Sequence, residues 1–201
     1  FNPPHLGHLA LARCAREELG LAEVVLMPAS ASPQKGPEED PGPEVRLEMC
    51  RLAARDVEGL GVCAAEVRRG GTSYTVETLR ELRRERPGAR PRLILGADTA
   101  CTLPSWREPE GVLELAELAV AEREGRGREA VLDALGPLHA EGRVSFLEMP
   151  PVGVSSSLVR ARAGRGEPVE DLVGGALGAY IAQRRLYRAD AGAGTDTSAG
   201  A

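Results

Sequence analysis

Short apolar runs alternate with stretches of helical periodicity along almost the whole chain, and this alternation is the strongest constraint on its fold. The apolar runs predict strands at residues 23–27, 60–67, 92–95, 118–121 and 144–147. The spacing of apolar residues between them predicts helices at residues 9–19, 44–56, 75–86, 128–139, 157–163 and 176–186. Strands that alternate with helices are typical of a parallel sheet, because every parallel strand needs a crossover connection.

The predicted fold class is therefore α/β, with an open, mostly parallel sheet and helices on both faces. A chain of 201 residues suits one domain of ordinary size, and we expect a single domain over residues 1–188. The small and polar residues of 189–201 predict a disordered tail. Because open sheets of this class bind ligands beyond the carboxyl ends of their strands, functional residues are expected in loops that follow strands.

Charge and cysteine usage exclude several classes of partner. The formal charge of −5 provides no positive field for a nucleic-acid backbone, whereas a small anion needs only a local site. No apolar run approaches the roughly 20 residues that cross a bilayer, and the opening residues do not resemble a signal peptide, so we expect a cytoplasmic protein without a membrane partner. Four scattered cysteines without a CxxC pair predict reduced thiols rather than a metal cage. The oligomeric state is left open.

The sharpest chemical signal is the run FNPPHLGH at residues 1–8. His5 and His8, three residues apart at a helix start, point from one face, where the N–H groups of the first turn attract anions. Such a pair suits a polyphosphate, and Gly7 leaves room for a phosphate or ribose to approach the backbone. The motif His-x-Gly-His alone would favour the interpretation that the histidines are ordinary polar residues near a helix start. The preceding Phe-Asn-Pro-Pro favours the functional interpretation instead.

A second helix start lies near the other end of the chain, in VSSSLVR at residues 154–160. Its serine hydroxyls can cap the helix or bind phosphate oxygens, and Arg160, one turn further on, can reach the same anion. Taken alone, the segment fits a plain helix cap equally well. Paired with the histidines, it resembles the second half of a phosphate clamp.

Weaker signals lie in the loops between these two motifs. Lys35, the only lysine, indicates a position for a compact, movable ammonium, although chance explains one lysine equally well. The segment TSYT at 72–75 reads as a helix cap or as a carboxylate site made of backbone amides and Thr75. Asp98 follows a predicted strand and can bind sugar hydroxyls or cap a helix, and Trp106 can stack a flat ring or simply pack.

Together these segments, with the closing Tyr-Ile and Leu-Tyr pairs at 180–181 and 186–187, resemble bacterial nicotinate-nucleotide adenylyltransferase, of the nucleotidyltransferase superfamily with the HxGH motif. The resemblance spans residues 1 to about 188. It implies a Rossmann-like fold that condenses nicotinate mononucleotide with ATP to give deamido-NAD and pyrophosphate in NAD biosynthesis. The chemistry of that reaction predicts Mg²⁺ bound with the ATP and held mostly by substrate and water, with no protein metal site.

The resemblance implies a role for each matching residue. The catalytic residues, which would face the ATP phosphates, are His5, His8 and Arg160. The other ATP-binding residues would be Phe1, Gly7, Lys35, Asp98, Ser156 and Ser157. The acceptor-binding residues, around the pyridine ring and its carboxylate, would be Ser73, Tyr74, Thr75 and Trp106.

The chain departs from the family pattern in three places. A short strand and a Gly-Gly-Thr or Gly-Gly-Ser stretch usually precede the equivalent of Phe1, so we expect the first central strand of the sheet to be missing from this chain. The family loop usually reads Pro-Pro-His-Lys where residues 32–35 read SPQK, and Ser157 stands where threonine is commoner. The alternatives are an adenylyltransferase for phosphopantetheine or nicotinamide mononucleotide, and a nucleotide-binding homologue without turnover.

Overall fold

The computed structural model describes residues 1–33, 40–122, 127–150 and 152–188. Its strands are β1 (Val24–Leu26), β2 (Leu60–Val62), β3 (Arg92–Gly96), β4 (Glu117–Ala121) and β5 (Val144–Leu147). Its α-helices are α1 (Leu6–Glu18), α2 (Pro43–Ala54), α3 (Ala65–Arg69), α4 (Thr75–Glu85), α5 (Ala97–Ala100), α6 (Pro109–Leu115), α7 (Arg128–Leu135), α8 (Ser156–Gly164), α9 (Glu170–Val173) and α10 (Gly175–Gln183). Short 3-10 helices lie at Leu103–Ser105 and Gly136–Leu138.

All of the paired strands run parallel, which confirms the α/β prediction. They form two sheets in the described residues, one with β1 beside β2 and one with the order β3-β4-β5. In the smaller sheet Val24 lies opposite Leu60, and in the larger sheet Leu118 lies opposite both Leu93 and Val144. A further central strand ahead of Phe1 stays a prediction.

Side chains that alternate along β4 give each face of the larger sheet its own apolar layer. Leu118 and Val120 are buried in a cluster with residues of α4, α6 and α7. Ala119 faces the opposite side and packs with Ala15 of α1 and with Leu147 of β5. Helices therefore cover both faces of this sheet, as the sequence predicts.

A third apolar cluster holds the C-terminal helices on α2, and Leu9 of α1 packs against it. Met49 and Ala53 of α2 pack with Val159 of α8 and with Leu177 and Ile181 of α10. Burial of side chains of this size stabilises the fold by about 1.5–3 kcal/mol each. Because Leu9 in the first turn of α1 packs against the same cluster, the C-terminal helices are fixed close to the start of α1.

The prediction of one strand over residues 60–67 is wrong beyond Val62. The strand ends there, and Ala65–Arg69 forms the short helix α3. Alanine, glutamate and arginine favour a helix in this stretch, and Glu66 and Val67 bury their side chains from it. The apolar character of Val67 reflects packing on a helix, which a short run cannot distinguish from a strand.

Two sequence predictions lie outside the described residues, namely Lys35 and the tail 189–201. None of the described helices has the length and apolar character that crossing a membrane requires. The cytoplasmic location stays a prediction.

Candidate active site

The two histidines lie against each other at the start of α1. His5, in extended backbone with φ −147° and ψ 170°, precedes the helix, and its side chain is buried. The two ring centroids are 3.8 Å apart and the rings are tilted by 35°. The Nδ1 atom of His8 accepts a hydrogen bond from the His5 backbone N–H at 3.2 Å. A ring nitrogen that accepts carries no proton, so the neutral His8 imidazole carries its proton on Nε2, where it can donate to a ligand.

Phe1 and Gly7 shape the surroundings of these imidazoles. The Phe1 ring meets the His8 ring edge-on, with centroids 4.8 Å apart, and it also packs against the cluster around Leu26. A Cβ atom on Gly7 would stand 3.0 Å from Nδ1 of His5. Glycine at position 7 therefore makes room for the His5 ring, whereas the sequence analysis expected it to make room for a phosphate or ribose. The ATP contacts predicted for Phe1 and Gly7 stay predictions.

The start of α8 lies directly beside the residues that lead into α1. Ser156 donates its hydroxyl to the Pro3 carbonyl oxygen at 2.9 Å, and Nη1 of Arg160 donates to the Asn2 carbonyl oxygen at 3.0 Å. Ser155 caps the helix by accepting from the Leu158 N–H at 3.1 Å. The histidine motif and the serine motif therefore meet in the folded chain, although about 150 residues separate them.

Ser157 and Asp98 lie at exposed helix starts. The Ser157 hydroxyl is 3.5 Å from Nη2 of Arg160. Asp98 stands in the first turn of α5, directly after β3, which is the position that the sequence analysis expects for a residue at a strand's carboxyl end. Their contacts with ATP stay predictions.

Ser73, Tyr74 and Thr75 form the approach to α4. Ser73 is buried, and its hydroxyl oxygen accepts from the Ser30 N–H at 2.9 Å. The Ser73 N–H donates to the Ala31 carbonyl oxygen at 2.9 Å, so the loop after β1 pairs with the segment before α4. Tyr74 precedes the first helical residue, Thr75, and both are half-buried. The structure thus gives Ser73 a partner within the fold, and its contact with an acceptor stays a prediction.

The segment after β3 lies against the same helix start. Trp106 is half-buried, and its indole N–H donates to Oγ1 of Thr102 at 3.0 Å. The Arg107 guanidinium lies over the Tyr74 ring, 4.6 Å from its centroid, and pairs with Glu77 of α4 at 3.2 Å. Trp106 and Tyr74 both pack against the apolar cluster on this face of the sheet. The predicted acceptor residues are therefore grouped around the start of α4.

Sequence reasoning missed Arg46, which is buried in α2. Its Nη1 and Nη2 atoms donate to the carbonyl oxygens of Ala29 and Ser30 at 2.5 and 2.7 Å, and Nε donates to Asp40 at 2.9 Å. The buried face of α2 repeats at positions 46, 49, 50 and 53. An arginine on the apolar stripe of a helix is the signal that could have revealed it.

A buried polar group between α3 and α4 was missed as well. Thr78 donates its hydroxyl to Glu66 at 2.6 Å and accepts from Nη2 of Arg69 at 2.9 Å, while Arg69 also pairs with Glu81 at 2.7 Å. Hydrogen bonds to charged groups of this kind are about twice as strong as neutral ones. The group fixes α4, and with it Tyr74 and Thr75, against α3.

The four cysteines are free thiols. Burial, together with the nearby Glu18 carboxylate, raises the pKa of Cys14 to about 11. Burial also raises the pKa of Cys50 to about 11, against the opposing effect of Arg46. Since the thiolate is the reactive form, these two thiols are protonated and inert near pH 7.

Parallel strands with polar side chains gathered at the helix starts beyond them define an α/β protein of the class that binds ligands at the carboxyl edge of its sheet. The family model described as Cytidylyltransferase-like matches residues 1–162. The chain belongs to the cytidylyltransferase-like family and, by the following similarities, to its nicotinate-nucleotide adenylyltransferases.

Curated relatives cover nearly the whole chain. A probable nicotinate-nucleotide adenylyltransferase of Symbiobacterium thermophilum is 37% identical over 190 residues, which are 93% of this chain and 91% of that protein. The protein of the same name from Geobacter metallireducens is 36% identical over 206 residues, with coverage of 94% and 95%. This level of identity over this length confirms the resemblance drawn from the motifs.

Solved structures support the same fold. Plasmodium falciparum nicotinic acid mononucleotide adenylyltransferase complexed with APC superposes with a TM-score of 0.72 at 16% identity, covering 93% of this chain and 92% of that chain. The same enzyme complexed with NaAD superposes with a TM-score of 0.73 at 17% identity, covering 93% of both chains. The likeness confirms the Rossmann-like architecture that the resemblance implied.

Proposed function

We propose that this chain transfers the adenylyl group of ATP to nicotinate mononucleotide, which gives deamido-NAD and pyrophosphate. The observation that carries the proposal is the meeting of the two motifs, with His5 and His8 at the start of α1 and Ser156 and Arg160 at the start of α8. The names of the curated relatives support the choice of acceptor.

The reaction needs alignment and charge neutralisation rather than a covalent nucleophile. A phosphate oxygen of nicotinate mononucleotide attacks the α-phosphorus of ATP in line and forms a new P–O bond. The bond from the α-phosphorus to the bridging oxygen breaks, and pyrophosphate leaves with the electron pair. The attacking phosphate is already an anion, so the step requires no base to remove a proton.

The side chains around α1 and α8 supply donors for this charge. The Nε2–H of His8 and the imidazole of His5 would contact the α-phosphate. The Arg160 guanidinium and the hydroxyls of Ser156 and Ser157 would hold the leaving pyrophosphate. The N–H groups in the first turns of both helices add positive potential at the same place. Donors fixed in advance in this way are worth a factor of about 10²–10³ each in turnover.

On the acceptor side, the start of α4 faces the nicotinate. We assign its carboxylate to Tyr74, Thr75 and the first-turn N–H groups of α4, and its ring to a stack on Trp106. Ser73 would act there through the loop that it fixes. Asp98 would bind the adenylyl ribose, with Phe1, Gly7 and Lys35 completing the ATP site.

Mg²⁺ would enter as the magnesium complex of ATP. Within the described ranges no group of three or more His, Cys, Asp or Glu side chains could hold a metal ion. The donor set of the site consists of imidazoles, hydroxyls and a guanidinium, which suit phosphate oxygens rather than Mg²⁺. Phosphate oxygens and water would therefore hold the ion, which neutralises phosphate charge when bound.

The test is pyrophosphate release with ATP and, in turn, nicotinate mononucleotide, nicotinamide mononucleotide and phosphopantetheine. We expect the highest kcat/KM with nicotinate mononucleotide, because a carboxylate at the start of α4 gains charge-assisted hydrogen bonds that an amide lacks. A preference for phosphopantetheine would contradict the roles of Trp106 and Thr75. Binding of ATP without turnover of any acceptor would favour a binding protein.

The matched variants are His8→Asn and His139→Asn. Asparagine at position 8 keeps a short acceptor for the His5 N–H but places nothing at the Nε2 position, so turnover should fall about a hundredfold with little change in melting temperature. His139 is exposed, and its φ of 49° suits asparagine, so that variant should keep wild-type turnover. Equal kcat values for the two variants would remove His8 from the catalytic set.

A further inference from the structure

The Leu-Tyr pair at 186–187 belongs to the sequence resemblance and has no part in the proposed contacts with substrate. Tyr187 follows α10, and its hydroxyl donates to Oδ1 of Asn2 at 2.8 Å. The sulfur of Met49 lies 3.7 Å from the same hydroxyl oxygen. The last tyrosine of the chain therefore contacts the segment that leads into the histidines.

The position of this hydroxyl is fixed by packing on two helices. The Tyr187 ring packs against the apolar cluster that α2, α8 and α10 share. The Tyr187 carbonyl oxygen approaches α8 so closely that a Cβ atom on Gly164 would stand 3.0 Å from it. The turn that carries Tyr187 therefore packs on the helix that carries Ser156 and Arg160.

The donors to the segment Asn2-Pro3 include, in the part of the chain that the structure describes, the hydroxyl of Tyr187, the guanidinium of Arg160 and the hydroxyl of Ser156. Two of these groups are assigned above to the ATP phosphates. A serine hydroxyl has a single proton, so Ser156 cannot donate to Pro3 and to a phosphate at the same time. Arg160 has five N–H groups and can serve both partners. When the Ser156 hydroxyl donates to a triphosphate instead, the Pro3 carbonyl loses this hydrogen bond.

We propose that Tyr187 is a positioning residue that holds Asn2, and through it His5 and His8, while the phosphates of ATP occupy the donors of α8. The proposal rests on the assignment of Ser156 and Arg160 to ATP. Tyr187 acts only through Asn2 and touches no substrate. Its hydroxyl is suited to this task because no phosphate competes for it.

The test is Tyr187→Phe, with Tyr180→Phe as the matched control. Tyr180 packs against the same cluster, and no hydroxyl hydrogen bond is found for it among the described residues. Both variants keep their rings, so melting temperatures should stay close to that of the wild type. Loss of one fixed hydrogen bond predicts an increase of about fivefold in the Kd of ATP, measured by calorimetry, and in its KM for Tyr187→Phe only. The KM of the acceptor should stay unchanged in both.

Asn2→Ala tests whether Tyr187 works through Asn2. The double variant Asn2→Ala with Tyr187→Phe should bind ATP no more weakly than Asn2→Ala alone. Additive losses, a wild-type Kd in Tyr187→Phe, or equal losses in the two tyrosine variants would overturn the proposal. The calorimetric measurement needs no turnover. If the chain binds ATP but uses no acceptor, the proposed function is wrong, and the Kd values still decide the role of Tyr187.

Discussion

At the scale of single residues, the active-site geometry depends on how closely side chains approach each other in the first turn of α1. Gly7 is the clearest case, because the His5 imidazole occupies the space that a methyl group at position 7 would need. Sequence reasoning singled out Gly7 for closeness to a ligand, since the motif shows only that a small residue stands between two histidines. Which neighbour comes close is a property of the folded ring positions.

Gly7→Ala should therefore lower kcat while it leaves the fold intact. The new methyl group pushes the His5 ring, and the His8 ring stacked on it, away from their positions, and we expect a loss of about tenfold or more in turnover. Alanine also has a helix propensity about 1 kcal/mol more favourable than that of glycine. This gain offsets the cost of displacing the rings, so the melting temperature should change little. Steady-state kinetics and thermal unfolding measure the two effects.

Gly88→Ala is the control, because a Cβ atom at residue 88 would meet nothing within 4 Å. This variant should match the wild type in kcat. If Gly7→Ala also has the kcat of the wild type, the close approach of the His5 ring to residue 7 does not affect catalysis.

At the scale of elements, the fold was predictable where a helix is long and periodic or a strand is a compact apolar run. The helix predicted over 75–86 is found at Thr75–Glu85, and the strand predicted over 144–147 is found at Val144–Leu147. The short helices Ala97–Ala100, Pro109–Leu115 and Glu170–Val173 were not foreseen, because so few residues carry no readable period. Each of these helices buries apolar side chains against its neighbours, so tertiary packing rather than a local pattern decides them.

The loops that carry the proposed acceptor residues depend on one element, α2. Arg46 crosses from this helix to the carbonyl groups of Ala29 and Ser30, and Ser30 in turn holds Ser73. The loop after β1 is thus the link between α2 and the start of α4. Substitution of Arg46 should therefore weaken binding at the proposed acceptor site more than binding of the ATP phosphates.

Arg46→Lys tests this link. Lysine keeps the charge, but its single ammonium cannot reproduce the planar fork to both carbonyl oxygens and Asp40. We expect the free energy of unfolding to fall by about 1–3 kcal/mol and the KM of nicotinate mononucleotide to rise more than that of ATP. Arg51→Lys in the same helix is the control, since Arg51 is exposed and pairs only loosely with Glu48 at 3.4 Å. Equal changes in both KM values of Arg46→Lys would contradict a specific link to α4.

At the scale of the whole molecule, the proposed phosphate site requires that the starts of α1 and α8 meet, and both helices pack against the apolar cluster on α2. The sequence allowed this pairing to be predicted, since both motifs stand at helix starts that suit one anion. The hydrogen bonds that bring the motifs together could not be predicted. Examples are those from Arg160 to the Asn2 carbonyl oxygen and from Tyr187 to the Asn2 side chain. They depend on distances between residues that are more than 150 positions apart, and no local pattern encodes those distances.

Pyrophosphate should therefore protect both ends of the chain at once. The N–H groups of the first two residues of α1 and of α8, at positions 6–7 and 156–157, have no acceptor within their own helices, so they exchange with deuterium rapidly until an anion covers them. Hydrogen exchange measured by mass spectrometry should show that pyrophosphate slows exchange in peptides from both helix starts, with no change at α4. Addition of nicotinate mononucleotide should then slow exchange at the start of α4. Slower exchange at the start of α1 alone, or of α8 alone, would show that the two motifs do not bind one ligand together, because a shared anion must contact both helices.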